Sequence, residues 1–258
     1  SFSWDFEIQT FEVAENKAIH VFADKPISVY VVNSKTTSTD GFMALPTNSF
    51  GTDYIHCSYY DFFAASSFKC GGGFIVIATE DATNVSINLK GRGASSGAKT
   101  RGGSSIGDDI NVTLSRGQVY NVIGDATTRG EFDLTGSRIT SNKPIGLISY
   151  NESTYIPSDN SNGAEHLVEM LRPVTAWGKT YTSVELDRSG KGDYFRVVAS
   201  ENNTKWKMRY YDMSTGTLLG QRSGVLQAGQ FYADYDTYGG SAIAFRGISV
   251  WEADKPIL

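Results

Sequence analysis

The sequence has few of the residues that bind metals or form cross-links. Its 258 residues include two cysteines, three histidines, four methionines and six prolines. It has no run of about 18 apolar residues, the length that a membrane-spanning helix needs. It also has no block of clustered Lys and Arg of the kind that binds nucleic acid. We therefore expect no zinc site, no membrane insertion and no nucleic-acid partner.

The abundant residues favour strands and turns. Hydrophobic residues make up 40% and charged residues 20% of the sequence, and the net charge is −5, which is typical of a globular protein. Several short segments alternate apolar and polar residues, among them VSINL (85–89), INVTL (110–114) and QVYNV (118–122). A period of two indicates β-strands, and turn residues separate them at intervals of roughly ten residues. The sequence predicts an all-β fold of sandwich or barrel type.

The tripeptide Lys-Pro-Ile occurs three times, beginning at Lys25, Lys143 and Lys255. The segments around it also recur. GFIVIATEDATNVSINL (73–89) has the same pattern as YFRVVASENNTKWKMRY (194–210). LSRGQVYNV (114–122) likewise has the same pattern as LQAGQFYAD (226–234). Blocks that recur in the same order indicate internal duplication. We predict two tandem homologous β-sandwich-like domains, residues 1–140 and 141–258. Because proline cannot donate to a strand ladder, each tripeptide is interpreted as a turn that feeds a buried strand.

The third tripeptide ends one residue before the sequence does, so we expect a segment of a longer protein. Two stretches depart from the strand pattern. The Gly/Ser-rich residues 91–109 predict a flexible loop between strands of the first repeat. In GAEHLVEMLRP, apolar residues at Leu167, Met170 and Leu171 have helical spacing before a proline, which predicts a short helix over residues 164–171 in the second repeat.

Two features favour an oxidising, extracellular setting. Cys57 and Cys70 are predicted to form a local disulfide that closes a loop, with two buried thiols as the alternative. Four Asn-x-Ser/Thr sequons mark candidate glycosylation sites: Asn84, Asn111, Asn151 and Asn202.

Two longer motifs, ALPTNSFGTDY (44–54) and HLVEMLRPVTAWGKTY (166–181), carry a family resemblance. With the Lys-Pro-Ile segments, they resemble the N-terminal region of IgGFc-binding proteins over most of the chain. A cysteine that often precedes the His-Leu pair in that family is absent here, and with it any disulfide at that place. The resemblance implies a large, modular, secreted protein of mucus or surface type, with structural and adhesive roles. No residue in the sequence allows Fc binding to be carried over.

The catalytic candidates lack the context that their chemistry needs. GSSIG (103–107) has the form of a nucleophile elbow, but it lies in a Gly/Ser-rich loop. His20 precedes a strand-like segment. His56 is adjacent to Cys57, and the side chains of these two neighbours would point to opposite faces of a strand, so they cannot form a nucleophile pair. His166 and Glu169 share one face of the predicted helix, without the second histidine of a zinc motif. We assign no catalytic residue.

Acidic and amide residues gather in NESTYIPSDNSNGAE (151–165), where Asp159, Asn160 and Glu165 are weak candidates for calcium ligands. Their spacing does not match an EF-hand loop, so a solvated loop is the alternative and no other cofactor is expected. Aromatic residues cluster in SYYDFF (58–63) and FYADYDTYGG (231–240). They predict either buried strand faces or, if exposed, surfaces for sugars or protein partners.

The sequence thus predicts a non-catalytic extracellular structural or adhesive module of a large secreted or surface assembly, of mucus, matrix or filament type. Its partners would be other extracellular proteins, glycans or copies of itself. One alternative is a carbohydrate-binding module, which needs an exposed aromatic platform. A weaker alternative is a secreted hydrolase, which needs two carboxylates about 5–10 Å apart in a pocket.

Overall fold

A computed structural model of the protein describes residues 7–35, 38–65, 68–93, 97–126, 132–156, 164–186, 193–233 and 247–258. Within these ranges the regular elements are β-strands and two single turns of 3-10 helix, Thr47–Ser49 and Val174–Ala176. The all-β class is therefore confirmed. The chain forms two compact units: Ser1–Thr154 with Ala164–Thr175, and Tyr155–Gly163 with Ala176–Leu258.

The strands of the first unit form one large sheet and two separate hairpins. In the eight-stranded sheet, β1, β10, β7, β11, β8 and β9 are neighbours in that order, and β4 and β12 also pair with β11. The hairpins are β2–β3 and β5–β6. The strands are β1 (Ala14–Glu15), β2 (Val29–Lys35), β3 (Ser38–Ala44), β4 (Gly51–Ile55), β5 (Phe62–Ala65), β6 (Phe68–Cys70), β7 (Gly72–Ala78), β8 (Thr83–Asn88), β9 (Asp109–Leu114), β10 (Val119–Ile123), β11 (Arg138–Thr154) and β12 (Glu165–Met170).

Strand β11 organises this sheet because its 17 residues pair with four other strands. Its early residues pair with β8 and β4, and its later residues pair with β7 and β12. The register with β4 shifts at an irregularity between Thr140 and Ile145, where Lys143 and Pro144 lie. A bulge tolerates a proline that a regular ladder would not. The predicted turn between two strands is thus a bulge within one continuous strand.

The two units do not divide at the predicted boundary. Residue 140 lies inside β11, and the first unit extends to Thr154 and includes the segment Ala164–Thr175. The reason is that one strand serves two purposes: it completes the sheet and then continues into a hairpin with β12.

The core of the first unit follows the predicted alternation. On β8, Val85 and Ile87 are buried while Asn84 and Ser86 are exposed. Burial of one apolar face stabilises the sheet by about 25 cal/mol per Å² of apolar surface removed from water. The buried cluster contains Tyr54, Phe74, Val76, Ala78, Val85, Ile87, Leu89, Ala98, Leu114, Tyr120, Val122, Phe132, Leu134, Ile139, Ile145, Leu147 and Leu171.

The second unit has a four-stranded sheet in the order β13-β18-β15-β16 and a separate pair, β14–β17. Its core is built around Trp206 and Trp251, whose ring centroids lie 6.1 Å apart in a stacked arrangement. The strands are β13 (Gly178–Val184), β14 (Arg196–Val198), β15 (Thr204–Tyr211), β16 (Leu218–Leu226), β17 (Phe231–Ala233) and β18 (Ile248–Ile257).

The predicted helix over residues 164–171 is instead strand β12. It pairs with β11, with Val168 opposite Tyr150 and Met170 opposite Ile148. Three apolar residues at helical spacing give only a weak local preference for a helix. Pairing with a long neighbouring strand outweighs that preference.

The predicted flexible loop over residues 91–109 is held by hydrogen bonds where the structure describes it, which excludes residues 94–96. Ser104 Oγ donates a 2.6 Å bond to Glu12 Oε2, and the Thr100 hydroxyl donates to Oε1 of the same carboxylate. Arg101 forms an ion pair with Glu152. Glycine and serine serve here to bring the loop backbone close to Glu12, since a Cβ on Gly102 would collide with that side chain.

Candidate functional site

A tyrosine contacts the isoleucine of a Lys-Pro-Ile segment in both units. The Tyr54 hydroxyl donates a 2.7 Å bond to the Ile145 carbonyl, and the Tyr181 hydroxyl donates a 2.8 Å bond to the Ile257 carbonyl. Each tyrosine oxygen also accepts the N–H of a glycine three residues earlier. Tyr54 thus connects β4 to β11, and Tyr181 connects β13 to β18. We call β11 and β18 the closing strands.

The lysines of the second and third tripeptides bond to the turns that precede β8 and β15. Lys143 Nζ donates a 2.6 Å bond to the Asp81 carbonyl, and Lys255 Nζ donates a 2.5 Å bond to the Asn202 carbonyl. Three further hydrogen bonds recur in both units. The Asn84 N–H donates to Asn142 Oδ1 (2.7 Å), as the Lys205 N–H donates to Asp254 Oδ1 (2.8 Å). Thr79 Oγ1 donates to the Pro144 carbonyl (3.2 Å), as Ser200 Oγ donates to the Pro256 carbonyl (2.6 Å). Thr83 Oγ1 donates to the Glu80 carbonyl (2.8 Å), as Thr204 Oγ1 donates to the Glu201 carbonyl (2.7 Å).

The backbone conformation of these turns also recurs. Ala82 has φ of 53° and Asn203 has φ of 58°, in the left-handed region that most residues avoid. These two residues follow Asp81 and Asn202, which accept the lysine bonds. A left-handed residue at the same place in both units means that the turn itself requires this conformation, whichever side chain is present.

The structure brings a histidine and a serine together inside the core. His56 Nδ1 lies 3.1 Å from Ser149 Oγ, and this hydroxyl donates a 2.6 Å bond to the Cys57 carbonyl. Both side chains are buried, and the imidazole packs against Phe74 with 5.0 Å between ring centroids. Because solvent does not reach this pair, it stabilises the fold rather than acting on a substrate. Sequence reasoning missed it, since His56 follows β4 and Ser149 lies on β11, far away along the chain.

The other catalytic candidates, His166, His20 and Ser105, lie outside the arrangements that their predicted chemistry needs. His166 lies on β12, where its N–H donates a 3.0 Å bond to Ser38 Oγ. Its predicted pairing with Glu169 fails because residues three apart on a strand point to opposite faces. The ring of His20 lies beside Phe22, 5.8 Å away. The serine of GSSIG, Ser105, precedes strand β9 rather than the helix of a nucleophile elbow.

The pKa of the Asp61 carboxyl group is strongly raised. Asp61 is buried, and burial raises its pKa to about 8. The charge of Asp133 also raises the pKa, while the N–H groups of Gly72 and Ala126 and the charge of Arg101 lower it. Its two oxygens accept the 2.8 Å Gly72 and 2.9 Å Ala126 bonds. Asp61 thus joins the start of β7 to the chain after β10, and both its oxygens are used in doing so.

A groove of about 510 Å³ lies on the outer face of β8, β9 and β11. Most of its lining consists of amides and hydroxyls. Residues of two sequons meet there, because Asn84 and Thr113 are paired on β8 and β9 and the Thr113 hydroxyl donates a 2.8 Å bond to Asn84 Oδ1. The described lining includes no carboxylate, imidazole or aromatic ring. It consists of Asn84, Val85, Ser86, Asn111, Val112, Thr113, Thr140, Ser141 and Asn142.

The four sequon asparagines have different environments. Asn84, Asn111 and Asn202 are exposed. Asn151 is wholly buried, and its Nδ2 donates to the carbonyls of Tyr59 (3.3 Å) and Tyr60 (3.0 Å). A glycan on that nitrogen would disrupt both bonds, so the geometry favours the other three candidates.

The remaining candidates concern the cysteines and calcium. Cys57 follows β4 and Cys70 ends β6, and the two sulfur atoms are not bonded to each other in the structure; the disulfide stays a prediction. Asp159 and Asn160 lie outside the described residues, while Glu165 begins β12 opposite Thr154. Within the described ranges, no group of three or more His, Cys, Asp or Glu side chains is arranged to hold a metal ion.

The first aromatic cluster lies mainly inside the first unit. Tyr59, Tyr60 and Phe62 are buried, which agrees with a core position for SYYDFF. In the second cluster Phe231 and Tyr232 are partly buried, and residues 234–240 lie outside the described ranges. Of the described aromatic side chains, the most exposed are Phe22 and Tyr30.

Comparison with known proteins gives one consistent result. A family model described as IgGFc binding protein matches residues 40–258. The human IgGFc-binding protein is 29% identical over 212 residues, which cover 82% of this chain and 3% of that protein. The chain therefore spans a small part of the length of this relative. No solved structure matches it significantly. None of the described helical elements is long and apolar enough to cross a membrane.

Proposed function

The chain belongs to the IgGFc-binding protein family, and from this premise we propose that it is a non-catalytic extracellular binding and structural module, built from two tandem copies of one β-unit. The observation that carries the proposal is the recurrence of the closing-strand contacts, such as Tyr54 to Ile145 and Tyr181 to Ile257. Duplicated units of this kind suit a protein that presents repeated surfaces to its surroundings.

A binding role agrees with the state of the reactive side chains. His56, Ser149 and Asp61 are buried. His56 and Ser149 contact each other, and Ser149 and Asp61 also form hydrogen bonds with the backbone. The outer groove offers amides and hydroxyls that form hydrogen bonds but do not activate a nucleophile. Exposed sequons at Asn84 and Asn111 fit a secreted glycoprotein.

The partner class follows from the family. The human relative is named for binding the Fc region of IgG, and we propose an extracellular protein partner of this kind. The chain, produced in a secreting cell line, is immobilised and exposed to IgG Fc and to Fab as a matched control. Retention of Fc above the Fab level at micromolar concentration is expected. Equal retention of both, or turnover of ester, peptide or glycoside substrates, contradicts the proposal.

A carbohydrate-binding module is the second candidate, favoured by the groove on β8, β9 and β11. Its amides and hydroxyls form the hydrogen bonds that sugars need, although its described lining has no aromatic ring for stacking. A glycan array separates the two candidates. Binding to particular glycans that is lost in Asn142→Ala and Thr140→Ala variants favours sugar recognition.

A further inference from the structure

Two of the candidate glycosylation sequons lie side by side on the outer face of the first unit's sheet. On the paired strands β8 and β9, Asn84 lies opposite Thr113 and Ser86 lies opposite Asn111. The asparagine of each sequon therefore lies opposite the hydroxyl residue of the other. All four residues are exposed, while Val85 between the first two is buried. Because side chains alternate between the two faces of a strand, one face of the sheet carries both sequons.

The amide of Asn84 is oriented by a hydrogen bond that glycosylation leaves intact. The Thr113 hydroxyl donates a 2.8 Å bond to Asn84 Oδ1, and the Asn84 N–H donates a 2.7 Å bond to Asn142 Oδ1. An N-linked glycan is attached through Nδ2 and leaves Oδ1 as an acceptor. The first sugar would therefore extend from an amide group whose orientation the neighbouring strand fixes.

The groove of about 510 Å³ surrounds this attachment point. Strand β8 is the middle one of its three strands, because Ser86 pairs with Thr140 of β11 on one side and with Asn111 of β9 on the other. A glycan on Asn84 thus begins on the central strand of the groove, with side chains of β11 and β9 on either side.

The chemistry of the groove suits the innermost sugars of an N-glycan. These sugars are N-acetylglucosamine, which is neutral and carries hydroxyl groups and an acetamide. The amides and hydroxyls of the lining can donate and accept hydrogen bonds to both. Within the described lining no side chain carries a charge, and the volume of the groove lies in the range of about 300–1,000 Å³ that small-ligand sites occupy.

The corresponding face of the second unit has different chemistry. Lys207 lies two residues after Lys205, the counterpart of Asn84, and pairs with Glu252 of β18. Arg209 on the same strand forms an ion pair with Glu252 at 2.7 Å. Charged side chains stand here in place of amides and hydroxyls. The neutral groove is therefore particular to the first unit and does not follow from the shared fold.

We propose that the groove holds the first sugars of an N-glycan attached to Asn84 of the same chain. The glycan then lies against β8, β9 and β11 and covers this face of the first unit. The inference rests on the extracellular setting proposed above. It assigns the groove to the chain's own glycan rather than to an external sugar.

Release of the glycan by peptide-N-glycosidase F tests the inference, because this enzyme must reach the first sugar and converts the asparagine to aspartate. The whole chain is secreted from an N-glycosylating cell line. Peptide mass spectrometry then follows release at each sequon in the native and in the denatured protein. The ratio of the denatured to the native rate measures protection. Asn84 should be protected about 10-fold more than Asn202, which lies outside the groove, since one or two hydrogen bonds have that effect.

Three variants show whether the groove causes the protection. Thr140→Tyr fills the groove with a residue that strands accept, and it should raise the native rate at Asn84 by about 10-fold. Ser223→Tyr, the matched control, makes a similar change at an exposed position on β16 and should leave that rate unchanged. Asn111→Gln removes the neighbouring sequon, and Asn84 should remain protected because the groove, rather than a second glycan, shields it.

Each contrary result overturns the inference. These results are the absence of a glycan on Asn84, equal protection of Asn84 and Asn202, an effect of Thr140→Tyr no larger than that of Ser223→Tyr, or loss of protection in Asn111→Gln. Retention of Fc above the Fab level by a chain that gives one of these results would remove the glycan site and leave the proposed function intact. Absence of glycans at every sequon, together with equal retention of Fc and Fab, would remove both.

Discussion

The hydroxyl of Tyr54 donates a 2.7 Å hydrogen bond to the carbonyl of Ile145, in the bulged part of the strand that completes the sheet. Tyr54 is fully buried, so removing the hydroxyl leaves a carbonyl and the Gly51 N–H without that partner. We expect Tyr54→Phe to lower the free energy of unfolding by about 1–3 kcal/mol. The counterpart Tyr181 is 37% exposed, and water can replace its bonds, so Tyr181→Phe should cost less. Urea unfolding of both variants measures the difference, and an equal loss would contradict the assigned burial.

The left-handed turn residues predict a pair of opposite effects. Ala82 has φ of 53°, a conformation in which asparagine is better tolerated than alanine, and Asn203 occupies the equivalent place. Ala82→Asn should therefore stabilise the protein by a few tenths to about 1 kcal/mol, and Asn203→Ala should destabilise it by a similar amount. Thermal unfolding checks both. Changes of the same sign would show that the two turns are not equivalent.

The buried carboxyl of Asp61 predicts a dependence of stability on pH. Its pKa in the folded protein, about 8, lies above the value of about 4 for an exposed aspartate. Between these values the folded protein binds more protons than the unfolded chain. Asp61 therefore lowers the free energy of unfolding as pH rises from about 4 to about 8, by at most about 1.4 kcal/mol per pH unit.

The variant Asp61→Asn does not ionise and lacks this contribution. Unfolding measured between pH 5 and pH 8 should show a wild-type stability that falls relative to the variant, because the variant carries all other titrating groups unchanged. Parallel curves for the two proteins would contradict the raised pKa.

The sequons predict different outcomes after secretion. Asn84, Asn111 and Asn202 are exposed and Asn151 is buried. Replacing any of the exposed three with Gln should remove one glycan from the intact mass and change stability little. Asn151→Gln should remove no glycan, and it should destabilise the fold because its amide bonds to the Tyr59 and Tyr60 carbonyls. A glycan found on Asn151 would be incompatible with the structure described.

The cysteines supply a chemical test of the extracellular setting. If Cys57 and Cys70 form the predicted disulfide, alkylation of the secreted protein in denaturant labels neither residue until a reductant is added. Intact mass then increases by two labels. Two labels without reductant would show that the cysteines are thiols and would remove one argument for an oxidising compartment.

Much of the fold could be predicted from local sequence patterns. The alternation in VSINL places Val85 and Ile87 in the core and Asn84 and Ser86 on the surface, as observed. Strand β12 could not be predicted in this way, because its partner β11 selects its conformation and that pairing is not visible in the local spacing of Leu167, Met170 and Leu171. The bulge at Lys143 and Pro144 has the same origin, since a proline indicates either a turn or a bulge and only the neighbouring strands decide between them.

The candidate site shows a similar division. The recurrence of Lys-Pro-Ile was visible in the sequence, but the tyrosines that bond to it were not paired, although FGTDY (50–54) and WGKTY (177–181) share a glycine and a tyrosine at equal spacing. The His56–Ser149 contact joins residues far apart in the chain, so no local signal indicates it. The exposure of residues 19–33 required the structure, because their sequence is that of a buried strand.

The central claim is that the two units are copies held by the same closing-strand contacts. Amide hydrogen exchange of the whole chain tests this claim most directly. The N–H groups of Gly51 and Asn84 correspond to those of Gly178 and Lys205, and all four donate the hydrogen bonds described above. A third pair is Gly117 and Gly229, whose N–H groups donate 2.9 Å bonds to the Ala78 and Ala199 carbonyls. The account predicts protection from exchange for both members of each pair. Protection of the first three together with exchange of the second three at the rate of an unstructured peptide would contradict it.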